Sequence, residues 1–208
     1  MATAGQYLWA RAGGRVTICA MKTRNLNGLT TSAIGYGAMV LVDGMYGEVA
    51  ALRDGECDVA FVWLPADLTG LRSELVASEQ RYAGLASGHR LAARAQLSVN
   101  ELNDEPIMWT RLAPRYWVDW WAVNPRPDGS EPRWGPENDN VEEMLEQVAD
   151  GSAYCIAPAS MTEYYARPDL AWVPITDIDP LRIALAWRER DGSPLVAAFA
   201  GVVRELVD

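Results

Sequence analysis

The sequence predicts an α/β protein built from two βαβ-containing halves. Three observations carry that prediction. Short runs such as "RVTICAM" (Arg15 to Met21), "CDVAFVWLP" (Cys57 to Pro65) and "SAYCIAP" (Ser152 to Pro158) are apolar at successive positions. Strands covered on both faces show that pattern. Helical segments separate such runs, as parallel strands require. Pro65 and Pro158 then stop two of the strands at their carboxyl ends, where ligands of open α/β sheets bind.

The elements follow in order. After "RVTICAM" comes a polar, glycine-containing connection, "KTRNLNGLTTSAIGYG", and a second strand, "AMVLVDGM" (Ala38 to Met45). "YGEVAALRDGE" is a helix with Val49 and Leu52 on one face and Gly55 as C-cap. "CDVAFVWLP" is the third strand. Arg81 to Pro106 begins as a strand, turns at Gly88-His89, supplies two short helical pieces and turns again at Asn103-Asp104. "PIMWTR" is a short strand, "APRYWVDWWAV" a helix, and "NPRPDGSEPRWGP" a proline-rich loop. "NDNVEEMLEQVADG" is a helix capped by Asn138, Asp139 or Asn140, with Glu142 and Glu143 at the positive end of its dipole. "SAYCIAP" is a strand, "SMTEYYAR" a short helix, and "LAWVPI" and "LRIALAWR" are strands. "SPLVAAFAGVVRELV" closes the chain as an amphipathic helix, with Ser193 as cap and Pro194 at its first position.

The bulk numbers exclude several classes. With 208 residues, half of them hydrophobic and 22% charged, the chain is globular. A net charge of −10 removes any nonspecific attraction to nucleic-acid phosphates. No apolar stretch approaches the roughly 20 residues of a membrane span. "MATAGQYLWARAGG" lacks the charged start and apolar core of a signal peptide, so a cytoplasmic location is expected. Cys19, Cys57 and Cys155 match no zinc or redox spacing, and no metal site is expected. Cys19 and Cys155 read as buried reduced thiols. Lys22 is the lone lysine among the 18 basic residues, a high-GC, actinobacterial-like composition.

"LRDGECDVAFVWLP", "GLRSELVASEQRYAGLASGHRLA", "LNDEPIM", "QVADGSAYCIAPAS", "RPDLAWVPITD" and "IALAWRERDGSPLVAAF" occur in one order. That order resembles the effector-binding domain of LysR-type transcriptional regulators over roughly Ala51 to Glu205. The resemblance implies a type 2 periplasmic-binding-protein-like fold: two Rossmann-like lobes joined by two crossover strands, with a small-molecule cleft between them. Residues 1–13 would be an N-terminal extension. Lobe I would take 14–85 plus 183–208, and lobe II 86–182, with hinges near Tyr82 to Ser87 and Asp179 to Ile183. It further implies a homodimer. The family's helix-turn-helix and linker helix are not found in the sequence, so direct DNA binding by this chain is not expected. The Met21 to Met39 connection looks shorter than the family's first helix, and Gly28, Gly35 and Gly37 weaken helix formation there by about 1 kcal/mol each.

Loops beyond strand ends would line the cleft. After the first strand come Thr23, Thr30, Thr31 and Ser32, hydroxyls able to bind a carboxylate or carbonyl. After the third come Trp63 and Pro65. In the second half, Trp109, Thr110 and Arg111 end "IMWTR", and Ser160 follows "IAPA". Such hydroxyls also cap backbone groups. Nine tryptophans stand out. Trp117, Trp120 and Trp121 share one helical face. A lobe core is the favoured reading of that face; an aromatic wall for a flat or hydrophobic ligand, with Arg111 or Arg115 nearby, is the other. Trp134 sits in the proline-rich loop and could fold over the cleft.

His89 fills the family's "HPLA" slot as "HRLA", and a turn or capping role is expected for it. G-x-S-x-G, H-E-x-x-H, P-loop and glycine-fingerprint motifs are lacking. The motifs therefore name no reaction: catalytic residues stay unknown, an enzyme is the less favoured reading, and no cofactor is expected. The leading function is effector sensing for a LysR-type regulator. The ligand would be a small molecule, aromatic or carboxylate-bearing. The alternative is a stand-alone descendant that sequesters a metabolite or antibiotic, or catalyses a biosynthetic step in the cleft.

Overall fold

The computed structural model describes Ile18–Cys19, Thr23–Leu26, Leu29–Ser32 and residues 48–207. Two principal sheets organise these residues. The first has the order β1 (Ile18–Cys19), β4 (Val59–Leu64), β11 (Leu181–Arg188), β5 (Leu71–Glu79). β1 runs parallel to β4, while β11 is antiparallel to both β4 and β5. β11 is buried along most of its length because helices cover both faces of the sheet. On one face Leu52 of α1 (Glu48–Asp54) packs with Cys57, Ala60, Val62 and Ala186. On the other, Val196, Ala200 and Val203 of α5 (Pro194–Val207) meet Val59, Leu185 and Trp187. The spacing of those α5 residues at i, i+4 and i+7 is one helical stripe.

The second sheet has the order β10 (Leu170–Pro174), β6 (Arg81–Ala86), β9 (Cys155–Pro158), antiparallel throughout. β7 (Ile107–Trp109) and β8 (Trp134–Glu137) form a parallel pair beside it, linked by a bridge from Ile107 to Tyr154. Three helices belong to this half: α2 (Arg115–Ala122), α3 (Val141–Ala149) and α4 (Ala159–Tyr164). Asn140 caps α3 by accepting from the Glu143 amide, one of the three caps the sequence offered. Gly84 on β6 is where the sheet is tightest. A Cβ there would lie 2.6 Å from Trp172 and 2.7 Å from the Cys155 sulfur. Burial pushes the Cys155 thiol up to about 12, so it stays protonated and inert.

Three corrections to the sequence reading follow. β5 was not anticipated. The polar connection after β1 contains a hairpin of β2 (Thr23–Leu26) and β3 (Leu29–Ser32), with Leu26 opposite Leu29. Trp134 begins a strand instead of sitting in a loop. The expected strand Ala38 to Met45 lies outside the described residues, as does the segment 1–13.

Candidate functional site

The two sheets are joined where strands change partner. The chain leaves the first sheet at Glu79 and enters the second at Arg81, then returns between Pro174 and Leu181. The expected changeovers were 85/86 and 182/183. Arg81 ties the two crossings together. Its carbonyl accepts from the Ile175 amide at 3.0 Å, and its Nε donates to the Asp179 carbonyl at 2.8 Å. Its Nη1 donates to the carbonyls of Trp120 (3.3 Å) and Trp121 (3.2 Å) at the end of α2. The side chain is only 2% exposed. Burial pushes its guanidinium down to about 10, against the attraction of Asp179. Three carbonyls are the acceptors such a buried cation needs.

α2 is positioned by its own sequence. Pro114 precedes its first turn, and Arg115 pairs with Asp119 at i+4. It ends where Val123 adopts a left-handed φ of 58° and closes the turn onto Asp119 and Trp120. Trp117 and Val118 are buried. The half-buried Trp121 donates its indole N–H to the Ile156 carbonyl of β9 at 2.8 Å. Its ring stacks on Trp117 with centroids 4.9 Å apart. It also stacks on Trp63, at 5.9 Å and 20° between planes.

Trp63 comes from the far sheet. It sits next to the end of β4, opposite Ile183, just before a cis Leu64-Pro65 bond. The stack therefore bridges the two halves of the molecule. Trp109 and Trp134 pack into the same cluster with Ala113 and Val118. The Arg115 guanidinium lies 4.9 Å over Trp134, and that of Arg81 lies 4.3 Å over Trp120. Each is a cation over a ring face. The cluster is thus aromatic and partly exposed; of the two guanidiniums over its rings, Arg81 is buried and Arg115 is paired with Asp119.

The predicted candidates distribute unevenly over this geometry. Trp63, Trp109 and Trp117 come together, with Pro65 two residues from Trp63. Trp117 is 7% exposed and backs the cluster. It therefore serves packing more than contact, and Trp121 presents the face. Thr110 accepts the Leu112 amide, so its hydroxyl caps its own loop. Arg111, its side chain 67% exposed, pairs with Glu137 at 3.2 Å and Asp139 at 3.7 Å. The Ser160 amide donates to the Glu79 carboxylate, a second tie at the crossing. Thr23, Thr30, Thr31 and Ser32 lie on the β2–β3 hairpin, not in an open loop. His89 is structural: its Nδ1 accepts from the Leu91 amide and its Nε2 faces Glu105 at 3.2 Å. Sequence reasoning missed Arg81. A charged residue opening the otherwise apolar run "RYAGLA" was the available signal.

A groove of about 580 Å³ lies elsewhere, between β5, Trp187 and α5. Trp187 pairs with Val59 at the opposite end of β4 from Trp63. The groove's lining is largely charged and small polar residues, including Arg72, Glu74, Asp191, Ser193 and Arg204. The described residues that line it include none of the predicted candidates.

Comparison with known proteins adds the family. The family model described as LysR substrate binding domain matches residues 40–208. Among solved structures, the chain is similar to the BenM effector binding domain with its effector benzoate. That match has 23% identity and a TM-score of 0.64, covering 77% of this chain and 73% of that one. It is also similar to CbnR, a LysR family transcriptional regulator, at 21% identity and TM-score 0.63, covering 77% and 56%. For a Corynebacterium glutamicum OxyR mutant the values are 22% and 0.67, covering 78% and 52%. The match thus spans about half the length of these two regulators. At such identities the likeness is one of fold. Among curated protein sequences, none matches.

Proposed function

The chain belongs to the LysR substrate-binding domain family, the ligand-sensing module of LysR-type regulators, and we propose that its effector is a flat aromatic carboxylate held between the two sheets at Trp63 and Trp121. The single observation that carries this reading is the Trp63–Trp121 stack, which joins the end of β4 to the helix covering β9. An aromatic ring that displaces or extends this stack gains ring contacts worth about 0.5–1.5 kcal/mol each beyond simple burial. BenM, one of the structural relatives, is described with benzoate as effector, which fits the same chemistry.

The carboxylate end of the ligand has two sources of partners in this reading. The hydroxyls of Thr23, Thr30, Thr31 and Ser32 supply neutral donors. Arg111 supplies charge, because an exposed ion pair such as Arg111–Glu137 stabilises by little and exchanges readily. The four-stranded and three-stranded sheets act as the two lobes, and the crossings at Gln80 and 175–180 as the hinge. A ligand that touches both lobes shifts their relative angle only so far as it binds one arrangement better than the other. Arg81 links that motion to α2, since its donors reach the second crossing and the last turn of the helix together.

Among the described residues no helix is long and apolar enough to cross a membrane. The proposal places the chain in the cytoplasm as a homodimer and assigns DNA contact to another part of a regulator.

Calorimetric titration with benzoate, salicylate and indole-3-acetate tests the assignment. The expected result is saturable 1:1 binding by at least one of them, weakened about tenfold or more in Trp63→Ala. Binding that Trp63→Ala leaves untouched would remove the stack from the site.

A further inference from the structure

Arg126 is buried in the three-stranded half and is not matched by an acid among the described residues. It sits on the loop between α2 and β8 and is 2% exposed. The loop folds back on it: its amide donates to the Ser130 carbonyl at 2.8 Å, and its carbonyl accepts from Gly129 at 2.9 Å. Its side chain makes one hydrogen bond, from Nη2 to the Tyr154 hydroxyl at 2.6 Å. Among the described residues, Nε and Nη1 are both buried without an acceptor.

None of the nearby ionisable groups pairs with Arg126: Glu105, whose charge helps raise the Tyr154 phenol, is engaged by His89 at 3.2 Å and Arg90 at 2.8 Å. Tyr154 is buried as well, and burial pushes its phenol up to about 12, so it stays neutral despite Arg126. Asp128, two residues along the loop, is engaged elsewhere. It accepts from the Ser130 amide at 2.9 Å, the Ser130 hydroxyl at 2.7 Å and Asn103 Nδ2 at 2.7 Å. The other buried arginine, Arg81, has three carbonyls and a nearby Asp179. Arg126 has a single phenol. A guanidinium stripped of water and left without a counter-charge is costly, and folds retain one only when something pairs with it.

We propose that Arg126 is the seat of a small monovalent anion of halide size, bound inside this half of the protein and separate from the effector cleft. Nε and Nη1 lie on different edges of the planar guanidinium. One anion therefore takes one edge and cancels the charge, and a water molecule suffices at the other. Two waters, one at each edge, would accept both hydrogen bonds but would leave the charge unpaired, which is why an anion is favoured. Such a site ties the proline-rich loop to Tyr154 and to the strand that carries it. It makes the order of that loop depend on anion concentration.

The test uses the full chain at constant ionic strength, in sodium chloride against sodium gluconate. For a bound halide well above its dissociation constant, the melting temperature rises by about 5 °C in chloride at roughly 0.1 M. In Arg126→Met that chloride-specific gain disappears, while general salt effects persist in both proteins. Crystals of the unsubstituted chain soaked in bromide give an anomalous peak within hydrogen-bonding reach of Arg126, which decides the matter even if Arg126→Met fails to fold. Equal melting temperatures in the two salts, with no bromide peak at Arg126, would overturn the proposal and leave water as the partner.

Discussion

The indole of Trp63, near the end of β4 in one sheet, lies against the indole of Trp121, on the helix hydrogen-bonded to β9 of the other sheet, with ring centroids 5.9 Å apart. The two residues have different duties. Trp121 also stacks on Trp117 and donates to Ile156, so it is part of the core of its own half. Among the described residues Trp63 has no comparable tie in the four-stranded sheet. Trp121→Ala removes a packed ring and leaves the Ile156 carbonyl without its donor, which costs about 3–5 kcal/mol of stability. Trp63→Ala costs about 1–2 kcal/mol, because only a half-buried ring is lost. Urea unfolding of both variants checks the order. A larger loss for Trp63→Ala would mean that the stack serves stability first.

Arg81 is expected to resist conservative replacement. Arg81→Lys keeps the charge, but an ammonium is a point donor and cannot span the carbonyls of Asp179, Trp120 and Trp121 as the guanidinium fork does. Both Arg81→Lys and Arg81→Met are predicted to lose about 2–4 kcal/mol. Full stability in Arg81→Lys, measured by chemical denaturation, would show that charge alone matters at the crossing.

Gly84→Ala probes the tightest point of the three-stranded sheet. The new methyl would meet the Trp172 ring at 2.6 Å and the Cys155 sulfur at 2.7 Å. The Cys155 sulfur is buried and the half-buried Trp172 indole is held by its N–H to the Tyr165 carbonyl, so overpacking costs about 1–3 kcal/mol. Gly84→Ala combined with Cys155→Ala should recover part of that loss. No recovery would place the strain on Trp172 alone.

The pH dependence of stability should carry the mark of Glu48. Burial raises its carboxyl from 4.5 to about 7, against the pull of a hydrogen bond to its own backbone. The folded chain therefore holds this proton more tightly than the unfolded chain. The stabilising effect is complete below pH 4.5 and is lost as pH rises through about 7. Glu48→Gln removes this dependence and is more stable than the parent at pH 8 by on the order of 2 kcal/mol. Parallel denaturation curves from pH 5 to pH 8 for the two proteins would contradict the assignment.

Much of the fold was legible because its strongest elements state themselves locally. β4, β9 and β11 are apolar on both faces, and α3 carries its own cap and dipole charges. β5 was not legible. "LRSELVASE" is an edge strand with Leu75 turned outward, and its extended form is set by pairing with β11 across the chain, not by its own pattern. The crossing between sheets begins where β5 ends, so its start was no more legible than β5 itself. The hairpin could have been read: the facing residues Leu26 and Leu29 flank Asn27-Gly28, a strong two-residue turn signal. At the site, the tryptophan face of α2 was visible as a period. That Trp63 meets it from another sheet depends on long-range topology that no local pattern contains. The same holds for Arg111, whose exposed pairing with Glu137 and Asp139 no local pattern shows.

The central claim is that an effector enters at Trp63 and Trp121, between the sheets. The most direct measurement is fluorine NMR of the chain labelled with 5-fluorotryptophan, its resonances assigned by single Trp→Phe replacements, during titration with the aromatic carboxylate that calorimetry ranks best. The account predicts saturable shifts for Trp63 and Trp121 while Trp187, beside the groove at the other end of the strands, stays where it was. Shifts confined to Trp187 would contradict it.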